Sequence, residues 1–204
     1  PKHLAFFAAG ATHKERLFLA ANRVGKTRAG AYELTCHLTG RYPPWWVGRR
    51  FDHPIEAWAC GTNSETTRDV VQAELLGPVE AATGAFRLGT GMIPVEHIVH
   101  TSRRTHGLAG AIESIWGRHR TGGMSVCGLK TYEQGRKSFE GTGKHVILDD
   151  EEPPQDVYVE QLYRTVTTRG ITMLTFTPLQ GMSDVVTGFL TPPTAEASQS
   201  KWYI

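Results

Sequence analysis

The chain has 204 residues, 40% hydrophobic and 21% charged, enough for one globular domain with a full core and no need of a metal or disulfide staple. A formal net charge of +2 excludes any whole-chain charge argument for a nucleic-acid or membrane partner. Three widely spaced cysteines, Cys36, Cys60 and Cys127, make no disulfide framework and fit a reducing compartment.

Along the chain, Arg16 to Ala21 predicts a buried strand and Lys26 to Leu38 a helix stopped near Gly40 and Pro43. Pro43 to Pro54 reads as a loop. Glu56 to Cys60 predicts a second strand. Thr62-Asn63-Ser64 supplies N-cap chemistry for a helix through Leu76, ended by Gly77-Pro78. Gly84 to Pro94 is another loop. Ala111 to Gly117 and Met124 to Lys130 form a strand pair, and Thr121-Gly122-Gly123 between them suggests a hairpin. Tyr132 to Phe139 reads as a short helix and His145 to Leu148 as a strong strand. Pro153-Pro154 fits the first turn of a helix to about Val166. Ile171 to Thr177 is a strand halted by Pro178. Beyond Leu190 the composition reads as a linker, with Lys201-Trp202-Tyr203-Ile204 beginning a further element. Strand and helix alternating in this way imply an α/β fold, a mainly parallel sheet covered by helices on both faces. No apolar run reaches the roughly 18 residues of a membrane span. The start, Pro1-Lys2-His3-Leu4, lacks Met and any secretory pattern and reads as a fragment or processed end.

Charge is local. His97 to His145 carries eight basic and three acidic residues, whereas Val146 to Thr165 carries one basic and six acidic, so the two stretches are +5 and −5. Such runs are commonly solvated faces; the alternative is an anion-handling surface beside a metal-handling one.

Ala20-Ala21-Asn22-Arg23-Val24-Gly25-Lys26-Thr27 fits the phosphate-loop pattern G-x-x-x-x-G-K-[ST], apart from Ala20 in place of the first Gly. A strand precedes it and a helix follows. Successive backbone N–H groups would wrap a diphosphate, and the helix N-terminus would add partial positive charge. Lys26 would reach the β- and γ-phosphates, and the Thr27 hydroxyl would ligate Mg²⁺. The strand His145 to Leu148 runs into Asp149-Asp150-Glu151-Glu152-Pro153-Pro154. Acids there also suit the start of a helix. At the carboxyl end of a parallel strand, however, one Asp would hold Mg²⁺ and a following Glu would polarise the attacking water. A third strand ends in Thr175-Phe176-Thr177-Pro178, whose hydroxyls suit sensing of a γ-phosphate.

These pieces, with Lys130-Thr131-Tyr132-Glu133-Gln134-Gly135-Arg136 and Leu174-Thr175-Phe176-Thr177-Pro178-Leu179-Gln180-Gly181, resemble the ATPase domain of the large terminase subunit of tailed bacteriophages. The resemblance covers nearly the whole chain in the expected order. It implies a P-loop NTPase fold of the RecA/ASCE-like type, in which ATP hydrolysis with Mg²⁺ drives double-stranded DNA through a portal ring into a procapsid. A helicase-like nucleic-acid-remodelling P-loop ATPase is the alternative. Implied partners are double-stranded DNA, the portal protein, the small terminase subunit and further copies of the chain in a ring. The implied setting is the host cell cytoplasm, with no membrane.

Carried over residue by residue, Ala21, Asn22, Arg23, Val24, Gly25, Lys26, Thr27 and Arg28 cradle the nucleotide, joined by Thr175 and Thr177 of the coupling motif. Thr27 and Asp150 are the metal ligands and Glu151 is the catalytic base, with Glu152 a rival. Asp149 stands where the family usually has an apolar residue. Arg23 is the candidate arginine inside the loop. Arg136 is the first candidate for an arginine finger reaching a neighbour's site, with Arg104, Arg118 and Arg120 behind it. Phe6 or Phe7 offers a ring for adenine, though a core role suits either. His97-x-x-His100 lacks a matching second pair of metal ligands. The expected organisation is an ATPase domain over 1–190 and a linker over 191–204 leading toward an absent C-terminal nuclease, so this chain is expected to hydrolyse ATP without cutting DNA.

Overall fold

The computed structural model describes residues 2–80, 87–103, 108–178, 181–191 and 194–204. The chain opens with helix α1 (Lys2–Ala9), strand β1 (Glu15–Leu19) and helix α2 (Lys26–Thr39). Strand β2 (Glu56–Gly61) leads into α3 (Ser64–Thr66), a π-helical turn over Thr67–Gln72, and α4 (Ala73–Leu76). Asn63 caps this composite helix: its side chain accepts from the Thr66 N–H at 2.8 Å. Strands β3 (Ile98–Arg103), β4 (Ile112–Arg118) and β5 (Met124–Thr131) follow, then two 3₁₀ turns, Tyr132–Gln134 and Arg136–Phe139. Strand β6 (Val146–Asp150), helix α5 (Gln155–Val166), strand β7 (Ile171–Phe176), helices α6 (Asp184–Leu190) and α7 (Ala195–Ser200) and strand β8 (Lys201–Tyr203) complete it.

One eight-stranded sheet runs β3-β4-β5-β2-β6-β7-β1-β8. Neighbours from β5 to β8 pair in parallel, while β3–β4 and β4–β5 pair antiparallel. The sheet is therefore mixed but mostly parallel. The expected hairpin supplies the β4–β5 pair, with Arg118 opposite Met124 across its turn, and β3 adds the second antiparallel pair.

Period-two alternation sorts the side chains between the faces. On one face Phe18, Val146, Leu148, Ile171 and Met173 share a core with α1, α2 and the aromatic loop after α2. On the other, Leu17, Leu174 and Phe176 pack with Tyr158 of α5 and with α6, and Ile147 joins Trp58, Cys60, Tyr132 and Phe139. A buried ion pair ties the first face together. Arg16 on β1 donates to both carboxylate oxygens of Glu33 on α2, at 2.7 and 2.9 Å, and to the Phe6 carbonyl of α1 at 2.7 Å.

Several expectations are corrected. The stretch read as a linker instead forms α7, capped by the Thr194 hydroxyl, and β8, which pairs with β1 as the sheet's edge strand. Its sequence is polar because α7 is exposed; Trp202 and Ile204 are apolar because they pack on the core. The short helix expected over 132–139 is broken into two turns by Gly135, whose φ of 70° no continuing helix accepts. Helices α1 and α6 and strand β3 have no counterpart among the expected elements. The loop expected over 84–94 lies partly outside the described residues. Among the described residues, no helix is long and apolar enough to cross a membrane.

Candidate functional site

Because β6, β7 and β1 are adjacent, their carboxyl ends bring three separated segments together. The segment after β1 turns through Arg23, at φ 63°, and Gly25, at φ 84°, into α2. Gly25 meets that left-handed requirement without strain. The first turn of α2 contains no acidic residue of its own, so its unpaired N–H groups are not capped from within the helix.

Lys26 is buried and its ammonium donates to the carbonyls of Ala20 and Ala21, each at 2.8 Å, and to Thr177 Oγ1 at 3.0 Å. Thr177 lies 2.9 Å from the Ala20 carbonyl and 2.8 Å from Asn22 Oδ1, so its hydroxyl laces the end of β7 to the loop. Thr175, one alternation earlier, donates to Asp150 Oδ1 at 2.9 Å, and the Thr27 hydroxyl hydrogen-bonds the same carboxylate. Close packing of α2 on the sheet sets this arrangement. A Cβ on Gly30 would come within 2.5 Å of Leu148 Cδ1 and 3.3 Å of Thr175 Cγ2.

The parity of β6 separates its two aspartates. Asp150 shares the α2 face with Val146 and Leu148 and meets Thr27 and Thr175. Asp149 points to the other face, where its Oδ1 accepts from Gln161 Nε2 of α5 at 2.7 Å and lies 3.1 Å from the Tyr132 hydroxyl. The two glutamates are separated as well. Glu151, at φ 84°, lines a cavity of about 640 Å³ with Asn22, Arg23, Gly25, Lys26, Thr27, Arg28 and Thr175. Glu152 lines a different cavity of about 530 Å³ with Tyr132 and Pro153, and is hydrogen-bonded by the Ser183 hydroxyl.

The electrostatics of the larger cavity follow from burial. Burial pushes Asp150 up to about 6, against the opposing hydrogen bonds of Thr27 and Thr175 and the charge of Lys26. Burial also raises Glu151, with Lys26 opposing, and lowers Lys26, with Glu151 and Asp150 opposing. On the far face, burial pushes Asp149 up to about 7. The cavity thus holds a buried cation beside carboxylates whose charge is only partly compensated, with an open helix N-terminus at its rim. Such a site suits an anion and a hard cation bound together.

The remaining sequence-derived candidates fall elsewhere. Val24 is exposed and does not line the cavity. Phe6 and Phe7 are buried, 0% and 7% exposed, in an aromatic cluster with Phe18, Tyr32 and Trp46, and neither lines the cavity around Lys26. Arg136 lies outside its own chain's cavity and donates to Glu160 Oε2 at 3.0 and 3.1 Å. Arg104, Leu179 and Gln180 lie outside the described residues. His97 donates from Nδ1 to the Arg118 carbonyl at 2.8 Å and His100 packs on Trp116. Among the described residues no cluster of His, Cys, Asp and Glu could hold a metal by itself. Half of the acids of the −5 stretch, Asp149, Asp150 and Glu160, are buried, whereas Glu151 and Asp156 are exposed. Sequence reasoning missed the second wall of the cavity, formed by Asp69, Val70, Ala73 and Glu74 of the composite helix and by Pro78 and Thr90 to Met92. No motif marks that wall; only the packing of α4 on α2 assembles it.

Fold and cavity together define an α/β protein with a polar cleft at the carboxyl ends of its parallel strands. The family model described as terminase large subunit, T4likevirus-type, N-terminal, matches residues 17–203. The chain is 37% identical over 209 aligned residues to the terminase large subunit of Salmonella phage P22, covering 94% of this chain and 41% of that protein. It thus spans less than half the length of this relative. No solved structure matches the chain. The chain belongs to the terminase large subunit family, in its N-terminal part.

Proposed function

We propose that this chain is a P-loop ATPase domain that hydrolyses ATP to drive double-stranded DNA into a procapsid. One observation carries the reading. Lys26, Thr27, Glu151 and Thr175, from three separated segments, line one cavity at the ends of β1, β6 and β7, and Asp150 is hydrogen-bonded to Thr27 and Thr175 beside it. That is where a parallel sheet binds ligands. The order β8-β1-β7-β6-β2, with one strand between the loop strand and the acidic strand, suits the RecA-like class that the motifs imply.

In this reading the loop N–H groups and the α2 N-terminus cradle the phosphates. Lys26 exchanges its carbonyl partners for phosphate oxygens, and Arg23 and Arg28 flank them at the rim. Thr27 and Asp150 would hold Mg²⁺; a hydroxyl and a carboxylate side by side are the oxygen donors this ion takes alongside phosphate and water. When bound, the ion neutralises charge building on the transferred phosphoryl group. Glu151 orients water for in-line attack and takes its proton at a carboxylate oxygen. Thr175 and Thr177 link the ligand to β7, so a change at the phosphates reaches the sheet.

The wider assembly is part of the same proposal: a ring of copies on the procapsid, with portal protein and small terminase subunit as partners. In such a ring Arg136 would leave Glu160 and act on a neighbour's nucleotide. The test is phosphate release from ATP by the full-length protein. Lys26→Ala should abolish turnover, Glu151→Gln should leave only a slow residual rate that single-turnover measurements detect, and Glu152→Gln should retain most of the activity. If Lys26→Ala hydrolyses ATP at the unmodified rate, the assignment is wrong.

A further inference from the structure

We propose that Tyr132, a residue buried on the opposite face of the sheet, is a positioning residue that sets the aim of Glu151. The inference rests on the reading of Glu151 as the residue that activates water. Glu151 is one of three non-glycine residues with positive φ among the described residues, at 84°. An L-residue holds that conformation only where its surroundings fix it. Here the Tyr132 hydroxyl, 2.9 Å from the Glu151 carbonyl oxygen, donates to it and holds the peptide. The same hydroxyl is 3.1 Å from Asp149 Oδ1, which Gln161 holds from α5 at 2.7 Å. A chain of contacts on the far face, Gln161 to Asp149 to Tyr132, therefore ends on the backbone carbonyl of Glu151, whose side chain lines the cavity on the near face.

The neighbouring residue supports this division. The Ser183 hydroxyl fixes Glu152 on the Tyr132 side, lining the smaller cavity. With Glu152 tied back and the Glu151 carbonyl pinned, the chain after β6 is left one way to turn, and Glu151 faces Lys26. Asp149, which faces away from the larger cavity on its side of β6, thereby gains a role: it shares the single hydroxyl proton of Tyr132 with the Glu151 carbonyl and so orients the phenolic oxygen. Without the hydroxyl, Glu151 is free to relax toward ordinary negative φ, and its carboxylate leaves the line of attack.

Tyr132→Phe removes one oxygen and leaves the ring packed near Phe139 and Trp58 in the same core. In the full-length protein, kcat should fall at least about tenfold, since small misplacements of a reacting group are costly. The dissociation constant for MgATP should stay within about twofold, because Lys26 and Thr27 are untouched. Single-turnover rates complete a double-mutant cycle: Tyr132→Phe should cost nothing further in a Glu151→Gln background. A loss of ATP affinity matching the loss of turnover, or full additivity with Glu151→Gln, would show a merely structural role and overturn the proposal. So would unchanged kcat in Tyr132→Phe while Glu151→Gln keeps only its slow residual rate. Full activity in Glu151→Gln would instead sink the reading of Glu151 on which the inference rests.

Discussion

Replacing Glu33 with Gln should destabilise the protein far more than an ordinary polar substitution. Glu33 and Arg16 are both 0% exposed, and the guanidinium spans both carboxylate oxygens at 2.7 and 2.9 Å. Glutamine keeps the shape but removes the charge. Arg16 is then left buried without an opposite charge, keeping one amide-oxygen acceptor, the Phe6 carbonyl and the Phe6 ring, 4.7 Å away. Breaking a buried pair from one side costs about 3–5 kcal/mol, a large part of the roughly 5–15 kcal/mol that holds a domain folded. At this chain length, about 2–4 °C per kcal/mol gives a Tm lower by roughly 6–20 °C. Circular dichroism melts at pH 7 measure it, with urea titrations checking that the slope is unchanged.

The same pair has a pH signature. Burial alone would raise Glu33, but the Arg16 charge and the hydrogen bonds from His37 and Arg16 prevail and hold it below the usual glutamate value. A depressed acid contributes its stability above the unfolded pKa and loses it as pH falls through the folded value. The unmodified protein should therefore lose stability below about pH 4 through this group, and Glu33→Gln should show a shallower acid limb. Replacing both partners, Arg16→Met with Glu33→Met, should recover most of the loss. A Glu33→Gln variant melting within about 2 °C of the original, or a double variant as damaged as the single, would refute the reasoning.

Two further outcomes are expected. Gly30→Ala should cost about 1–3 kcal/mol by overpacking, because the new Cβ would sit 2.5 Å from Leu148 Cδ1; in a Leu148→Ala background, which is itself destabilised, the same substitution should cost less in urea melts. Cys36, Cys60 and Cys127 are free and buried, and burial pushes Cys36 and Cys127 up to about 12, so a thiol reagent at pH 8 should label none of them in the native state and all of them in urea.

Much of the fold was legible because two periods are strong here. The fully apolar run before Asp149 and the Lys26–Leu38 pattern gave β6 and α2 nearly to the residue, and the Asn63 cap gave the start of the helix after β2. What was missed has local reasons. α1 buries only Phe6, Phe7 and Ala9 and carries no cap signal. β3 is an edge strand with mixed exposure. β8 is three residues long and is a strand only because β1 offers an edge. In the site, the spacing of Asp149 and Asp150 already requires them to face opposite ways, but which faces α2 depends on packing that no motif encodes. Glu151 and Glu152 are separated by one unusual φ, and the hydroxyls of Tyr132 and Ser183 that enforce it come from distant segments.

The central claim is that the cavity around Lys26 is a nucleotide-phosphate site, and calorimetric titration with MgATP tests it most directly. The unmodified chain and Glu151→Gln should bind with similar affinity, while Lys26→Ala should lose at least about tenfold, the worth of a charge-assisted hydrogen bond. Binding by Lys26→Ala as tight as the original, or no heat from the unmodified chain at millimolar nucleotide, would contradict the account.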